Sequence, residues 1–260
     1  MKTMKLSDFH LVDISPWPLM MSLTTANLIL TIYIKMNFFT CMLLLSMTMV
    51  YVFFLWSRDI TRESTFQGMH PFKVQLSLKY GMILFITSEV MFFLSFFWTF
   101  FHSALNPTNE IGNLWPSWGV EPINPFGIPL LNTLVLVSSG VSITYAHHSM
   151  LNQNYNHSIL WVVITVLLGG YFTVLQFMEY VSSSFSIMDS VYGSIFFIST
   201  GFHGIHVLVG TLMILFSLAR LCDFQFSFKH HLMFEFSCWY WHFVDLIWLF
   251  LFLSIYWWGF

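Results

Sequence analysis

The chain has 260 residues, of which 57% are hydrophobic, 20% aromatic and only 8% charged. Soluble domains carry roughly one quarter charged residues, so this composition specifies an integral membrane protein. The net charge of −3 says little about partners, and nothing in the sequence supports nucleic-acid binding.

A helix rising about 1.5 Å per residue needs about 20 apolar residues to cross about 30 Å of hydrocarbon. Such stretches recur at 15–34, 38–57, 80–104, 127–150, 158–181, 189–221 and 231–258, which predicts an all-α fold of seven transmembrane helices. Helical patterning of the third and sixth extends over 71–104 and 189–221, so both are expected to tilt or to project beyond the bilayer. The alternating ten-residue segments of a membrane barrel are absent from the sequence.

The N-terminal stretch 6–18 is mixed and contains proline, so neither a cleavable signal nor an Arg-rich transit peptide is expected. Lys2, Lys5, Arg58, Arg62, Lys73, Lys79, Arg220 and Lys229 fall on one side if the N-terminus is inside, leaving only Lys35 outside. Seven crossings then put the C-terminal Tyr256-Trp-Trp-Gly-Phe260 on the outer face.

At the inner end of the second helix, Asp59 is flanked by Arg58 and Arg62, which a helical continuation would hold on one flank. Arg58, Arg62, His70, Lys73 and Arg220, with Trp56 beside them, suit a contact with anionic lipid. Positive-inside topology alone accounts for most of these residues. The longest polar interval, 106–129, holds five prolines at 107, 116, 122, 125 and 129 and reads as an ordered external loop. Cys41, Cys222 and Cys238 form no close pair and suggest neither a disulfide framework nor a zinc site.

Ionisable residues inside apolar helices are costly unless paired, neutral or wetted. Glu89 has Phe85, Ile86, Phe92 and Phe93 one turn away, and is either a proton-exchanging carboxyl or a protonated acid bonded to a neighbouring helix. His203 and His206 share one helical face at i, i+3, with geometry open to a metal or haem; Gly201 and Gly204 beside them favour close helix packing instead. His242 and Asp245, also at i, i+3, read as a helix-internal or interhelical polar pair. The adjacent pairs His147-His148 and His230-His231 cannot each chelate one ion, because neighbouring side chains on a helix diverge by roughly 100°.

Several ordered motifs then coincide with one family. They include Ser15-Pro-Trp-Pro-Leu19, Arg58-Asp-Ile-Thr-Arg-Glu-Ser-Thr-Phe-Gln-Gly68, Tyr80-Gly-Met-Ile-Leu-Phe85, Ser88-Glu89, Phe97-Trp98 and His102-Ser103. They continue with Pro129-Leu-Leu-Asn-Thr133, Ser139-Gly-Val-Ser-Ile-Thr144, Ala146-His-His-Ser149, Gly201-Phe-His-Gly-Ile-His-Val207 and Trp239-Tyr-Trp-His-Phe-Val-Asp245. In these the chain resembles cytochrome c oxidase subunit III of the mitochondrially encoded type. It departs from the animal pattern at Ser57, where a second Trp is common, and at Met69, where a His is common.

The resemblance implies one membrane domain, 1–260, with helices 1–2 over 15–66 and helices 3–7 over 71–260 as two packed groups around a lipid-filled cleft. It implies no catalytic, cofactor or metal residue in this chain, with haem and copper held by partner subunits I and II. Trp56, Arg62, Glu63, His70 and Arg220 become lipid-site candidates, and Glu89 the family's buried carboxyl. His203, His206, His242 and Asp245 are then intramembrane packing residues. The expected partners are subunit I as main contact, subunit II, small accessory subunits and bound phospholipids. The expected setting is the mitochondrial inner membrane, N-terminus in the matrix and C-terminus in the intermembrane space. Expected roles are oxygen access, proton uptake and stability of the proton-pumping oxidase. The rival from another class is an independent transporter or proton channel relaying through Glu89, His203 and His206, and a third reading is a haem-bearing redox subunit.

Overall fold

A computed structural model describes residue 12 and residues 14–34, 38–109 and 112–260. Lys2, Lys5, Lys35 and Glu110 lie outside the described residues. Among the described residues, seven helices are long and apolar enough to cross a membrane. They are α1 (Trp17–Ile34), α2 (Phe38–Thr65), α3 (Phe72–Leu105), α4 (Ile128–Leu151), α5 (Tyr155–Ser182), α6 (Ser190–Cys222) and α7 (Leu232–Leu251), the last continued by a π-helical turn, Phe252–Trp258.

Two boundaries differ from the sequence expectation. Helix α2 runs on to Thr65, because Ser, Thr, Arg and Glu beyond Ser57 are compatible with helix once the chain leaves the hydrocarbon. The hydroxyls of Thr61 and Thr65 bond back to the carbonyls of Ser57 and Thr61 at 2.8 and 2.6 Å. The seventh hydrophobic stretch changes from α to π winding at Phe252, which apolar patterning does not reveal.

Helix ends are set locally. Pro129 occupies the first turn of α4, where its missing N–H costs nothing. At the other end Gln153 takes φ 61°, so that its N–H and that of Asn154 reach the carbonyls of Met150 and Ser149 at 2.9 Å each. Phe224, at φ 51°, closes α6 in the same way, with Gln225 N–H on the Arg220 carbonyl at 3.0 Å. These closures place Arg220 in the last turn of α6 and His148 in the last turn of α4, with His147 just before it.

The chain divides into two compact units, Met1–Lys79 and Tyr80–Phe260. The first contains α1, α2 and the start of α3, with α1 lying along α2. An indole N–H of Trp17 donates to Asp59 Oδ2 at 2.7 Å, joining the ends of these helices. Asp59 Oδ1 also accepts from Arg58 at 3.0 Å.

The second unit holds the core. Trp241 and Trp248 of α7 are fully buried, together with Phe93, Phe100, Phe172 and Phe196. Trp241 wedges between α4, α5 and α6. A methyl group added at Gly169 would lie 2.8 Å from its ring, and one at Gly210 would lie 2.9 Å away. Its N–H donates to Ser139 Oγ at 2.9 Å. Buried hydroxyl pairs, Ser142 with Thr165 at 2.7 Å and Ser217 with Ser237 at 2.9 Å, tie the same helices. Small residues permit such approach where lipid gives helices no hydrophobic reason to associate.

Close approach occurs at Gly140, Gly169 and Gly210 rather than at the glycines beside His203. Nothing lies within 4 Å of a methyl group placed at Gly201 or Gly204. The expectation of tight helix contact there is corrected: these glycines lie on faces of α6 that meet no neighbouring atom, and the packing face is the one carrying His203, Val207 and Gly210.

Candidate functional site

Within the second unit, Glu89 of α3 and His206 of α6 meet, with Glu89 Oε2 3.0 Å from His206 Nε2. The pair is mostly enclosed, the side chains being 23% and 12% exposed. Aromatic rings surround the imidazole: Phe93 edge-on at 5.0 Å, with Phe92, Tyr240 and Phe243 between 6.3 and 6.4 Å. The Phe202 carbonyl lies 2.6 Å from His206 Nδ1 and can only accept, so Nδ1 carries a proton. One further proton must then lie between Nε2 and the carboxyl. Whether it resides on Glu89 or on His206, the pair is neutral overall, which is how ionisable groups are tolerated in hydrocarbon. Glu89 is thus bonded to His206 of a neighbouring helix.

His203 shares the helix with His206 but serves another neighbour. It is buried, and its Nε2 bonds the Val244 carbonyl of α7 at 3.2 Å. Phe172 and Trp248 pack on its ring at 5.6 and 5.1 Å. His242 and Asp245 both lean on α4 at Gly140, where an added methyl group would sit 2.6 Å from Asp245 Oδ2 and 3.7 Å from His242 Nδ1. His242 Nε2 lies 3.4 Å from Thr144 Oγ1. The two residues thus sit on one face of α7, and their contacts are with α4.

A second polar group was not singled out from the sequence. Glu179, 1% exposed, accepts from Tyr256 Oη at 2.6 Å and from Gln176 Nε2 at 3.5 Å. Gln176 in turn accepts from Asn132 at 3.3 Å. The sequence signal was Gln176 and Glu179 at i, i+3 in an apolar helix. Their partners on α4 and on the π-helical turn have no local signature.

The lipid-site candidates divide between the units. Trp56, Arg62 and Glu63 line a cavity of about 430 Å³ in the first unit, together with Trp17, Asp59 and Gln67. Two indoles and an exposed guanidinium share this space with three apolar side chains, Val12, Ile14 and Ile60. His70 lies in the same unit at the entrance to α3, its carbonyl accepting from Gln75 Nε2 at 2.9 Å. Arg220 belongs to the second unit, 9% exposed, with Nε on Gln225 Oε1 at 3.1 Å and the guanidinium 4.6 Å from the Phe226 ring centroid. Nearby His230, in the loop before α7, is held below the usual imidazole range by burial and by the Arg220 charge.

Comparison with known proteins gives a consistent result. Residues 7–260 match the family model described as Cytochrome c oxidase subunit III. The chain is 51% identical to cytochrome c oxidase subunit 3 of Pelomedusa subrufa, over 99% of both chains. It is 53% identical to the Aedes aegypti protein of that name and 54% to the Pisaster ochraceus one, each over 96% of this chain and 97% of the relative.

Proposed function

This chain belongs to the cytochrome c oxidase subunit III family and so to the multi-span membrane part of a respiratory oxidoreductase complex, and from that premise we propose that it is a non-redox subunit holding structural phospholipid. The observation carrying this reading is the cavity of the first unit. Arg62 supplies a cation with a planar fork for a phosphate, while Trp17 and Trp56 offer amphipathic rings at the level where headgroup gives way to acyl chain. Arg220, already tied to Gln225 and Phe226, supports the inner surface of the second unit.

The intramembrane histidines support the absence of redox chemistry in this chain. Both nitrogens of His206 are engaged, by Phe202 and Glu89, and His203 Nε2 is engaged by Val244. Axial ligation through His206 or through His203 Nε2 would break bonds whose loss in hydrocarbon is costly. Haem and copper would belong to subunits I and II, with subunit I as the main contact. Oxygen, being apolar, concentrates in hydrocarbon, so lipid held here would favour its access to subunit I, while the packed helices stabilise the complex and support proton uptake. The location is the mitochondrial inner membrane, the N-terminus in the matrix and the C-terminus in the intermembrane space, as the distribution of Lys and Arg supports.

A reduced-minus-oxidised spectrum of the mildly solubilised complex, before and after this chain is stripped away, tests the assignment. All haem is expected to remain with a remainder that still reduces oxygen but loses turnover and proton pumping progressively. Haem following this chain would sink the reading. Native mass spectrometry of an Arg62→Gln complex is expected to show phospholipid lost; undiminished lipid content would remove the cavity from the proposal.

A further inference from the structure

One cluster belongs to none of these features. His147 near the end of α4, His231 at the head of α7 and Glu235 in its first turn place one ligand atom each within 4.8 Å of one another. His147 Nε2 is 3.2 Å from His231 Nε2, and His231 Nε2 is 3.4 Å from Glu235 Oε1. Metal–ligand bonds of about 2.0–2.2 Å in a tetrahedral shell put neighbouring ligands roughly 3.3–3.5 Å apart. The two separations about His231 match such a shell, and the third lies within 4.8 Å.

The protonation pattern points the same way. His231 Nδ1 lies 3.0 Å from the Ser227 carbonyl, which only accepts, so Nδ1 holds the proton. Its Nε2 is then the atom that faces both His147 Nε2 at 3.2 Å and Glu235 Oε1 at 3.4 Å. Three donor atoms converging in this way are joined either by shared protons or by one metal ion. A backbone carbonyl holding the far nitrogen of a histidine is also the usual support of a metal ligand, fixing its tautomer and ring orientation. Phe234 packs edge-on against His147 at 5.8 Å, steadying the second imidazole. His231 is 4% exposed and Glu235 20%, so the cluster is enclosed at one side and open at the carboxylate.

We propose that His147, His231 and Glu235 bind a divalent ion of the zinc class, with a fourth position left to water. Two imidazoles and one carboxylate suit zinc better than magnesium or calcium, which prefer oxygen ligands. The ion would tie the end of α4 to the start of α7, and loading would release any proton shared by the two Nε2 atoms. The adjacent histidine pairs thus act across the fold, each giving one member. This site is independent of the lipid reading.

The test uses the intact oxidase complex containing this chain, stripped with EDTA and titrated with zinc chloride. Bound zinc is counted by plasma mass spectrometry and its shell read by X-ray absorption at the zinc edge. The native complex is expected to gain a zinc with two imidazole nitrogens and one carboxylate oxygen. Glu235→Gln, His231→Asn and His147→Asn should each weaken that zinc by at least about 100-fold, more than loss of a supporting hydrogen bond usually does. His148→Asn, at the exposed neighbouring position, should leave it unchanged. Glu235→Gln preserves side-chain shape and is the deciding variant if a histidine substitution prevents assembly. Zinc held as tightly by an assembled Glu235→Gln complex would overturn the proposal. So would a native complex gaining no zinc over that variant, since the cation between these atoms would then be only a proton.

Discussion

None of the membrane window of α1 is buried, against 50% for α4 and 56% for α7, although mean hydropathy over these windows is similar at 1.3, 1.5 and 1.5. Hydropathy therefore decides which segments enter the bilayer and leaves open which of them pack. What differs is shape and polarity at the contacts. Helices α1 and α2 contain no glycine, and their hydroxyls mostly bond back to their own helices, as Thr25, Thr31 and Thr48 do. The α4–α7 group has Gly140, Gly169 and Gly210 facing large or polar side chains, and hydroxyl pairs that cross between helices. Lipid is as apolar as leucine, so only close packing and interhelical hydrogen bonds distinguish a neighbouring helix from solvent.

The contrast is broken most severely at Trp241. Replacing it with alanine removes a fully buried indole and is expected to cost about 3–5 kcal/mol, measured as loss of thermal stability of the complex. An unchanged melting temperature would show that the α4–α7 core does not depend on this wedge. Gly210→Ala attacks the same contact from the other side. With the buried ring only 2.9 Å from the new methyl group, overpacking should cost about 1–3 kcal/mol. Gly201→Ala, with open space beside it, serves as its control.

A smaller effect follows from His230. Burial and the Arg220 charge lower its folded value below the ordinary 6.5, so the unfolded chain takes up the proton first as pH falls. Stability should be full above about the unfolded value and decline below it, until the folded group also titrates. Melting curves of native and His230→Gln complexes between pH 7.5 and 5 should diverge in that direction; parallel curves would refute the coupling. The smallest change is expected in the first unit, where Phe54 is 58% exposed. Phe54→Ala should alter stability by no more than about 0.5 kcal/mol. A larger loss in the assembled complex would show that this face is covered by a partner subunit or an ordered lipid.

The seven helices, their order and the long third and sixth spans were legible, because crossing hydrocarbon requires apolar length whatever the packing. Glu89, His203, His206, His242 and Asp245 also stood out chemically against an apolar background, whereas the buried Glu179 and Gln176 did not. Their partners were not legible. Glu89 and His206 are 117 residues apart, and His147 and His231 are 84 apart. Periodicity also says little about which face of a helix is inward, since the lipid-facing and core-facing sides are both apolar. In water an amphipathic stripe would have marked the core; here only the packed helices reveal it.

What the sequence by itself determined is therefore the inventory: a membrane chain, the number and length of its crossings, and the ionisable groups that hydrocarbon makes expensive. The tertiary structure alone decided how those groups are satisfied. It pairs Glu89 with His206, turns His203 toward α7, sets His242 and Asp245 against α4, and brings one histidine from each adjacent pair together beside Glu235. The physical reason is that desolvation acts on each residue where it stands, whereas a hydrogen bond or a ligand shell depends on which helix end or face comes to lie opposite.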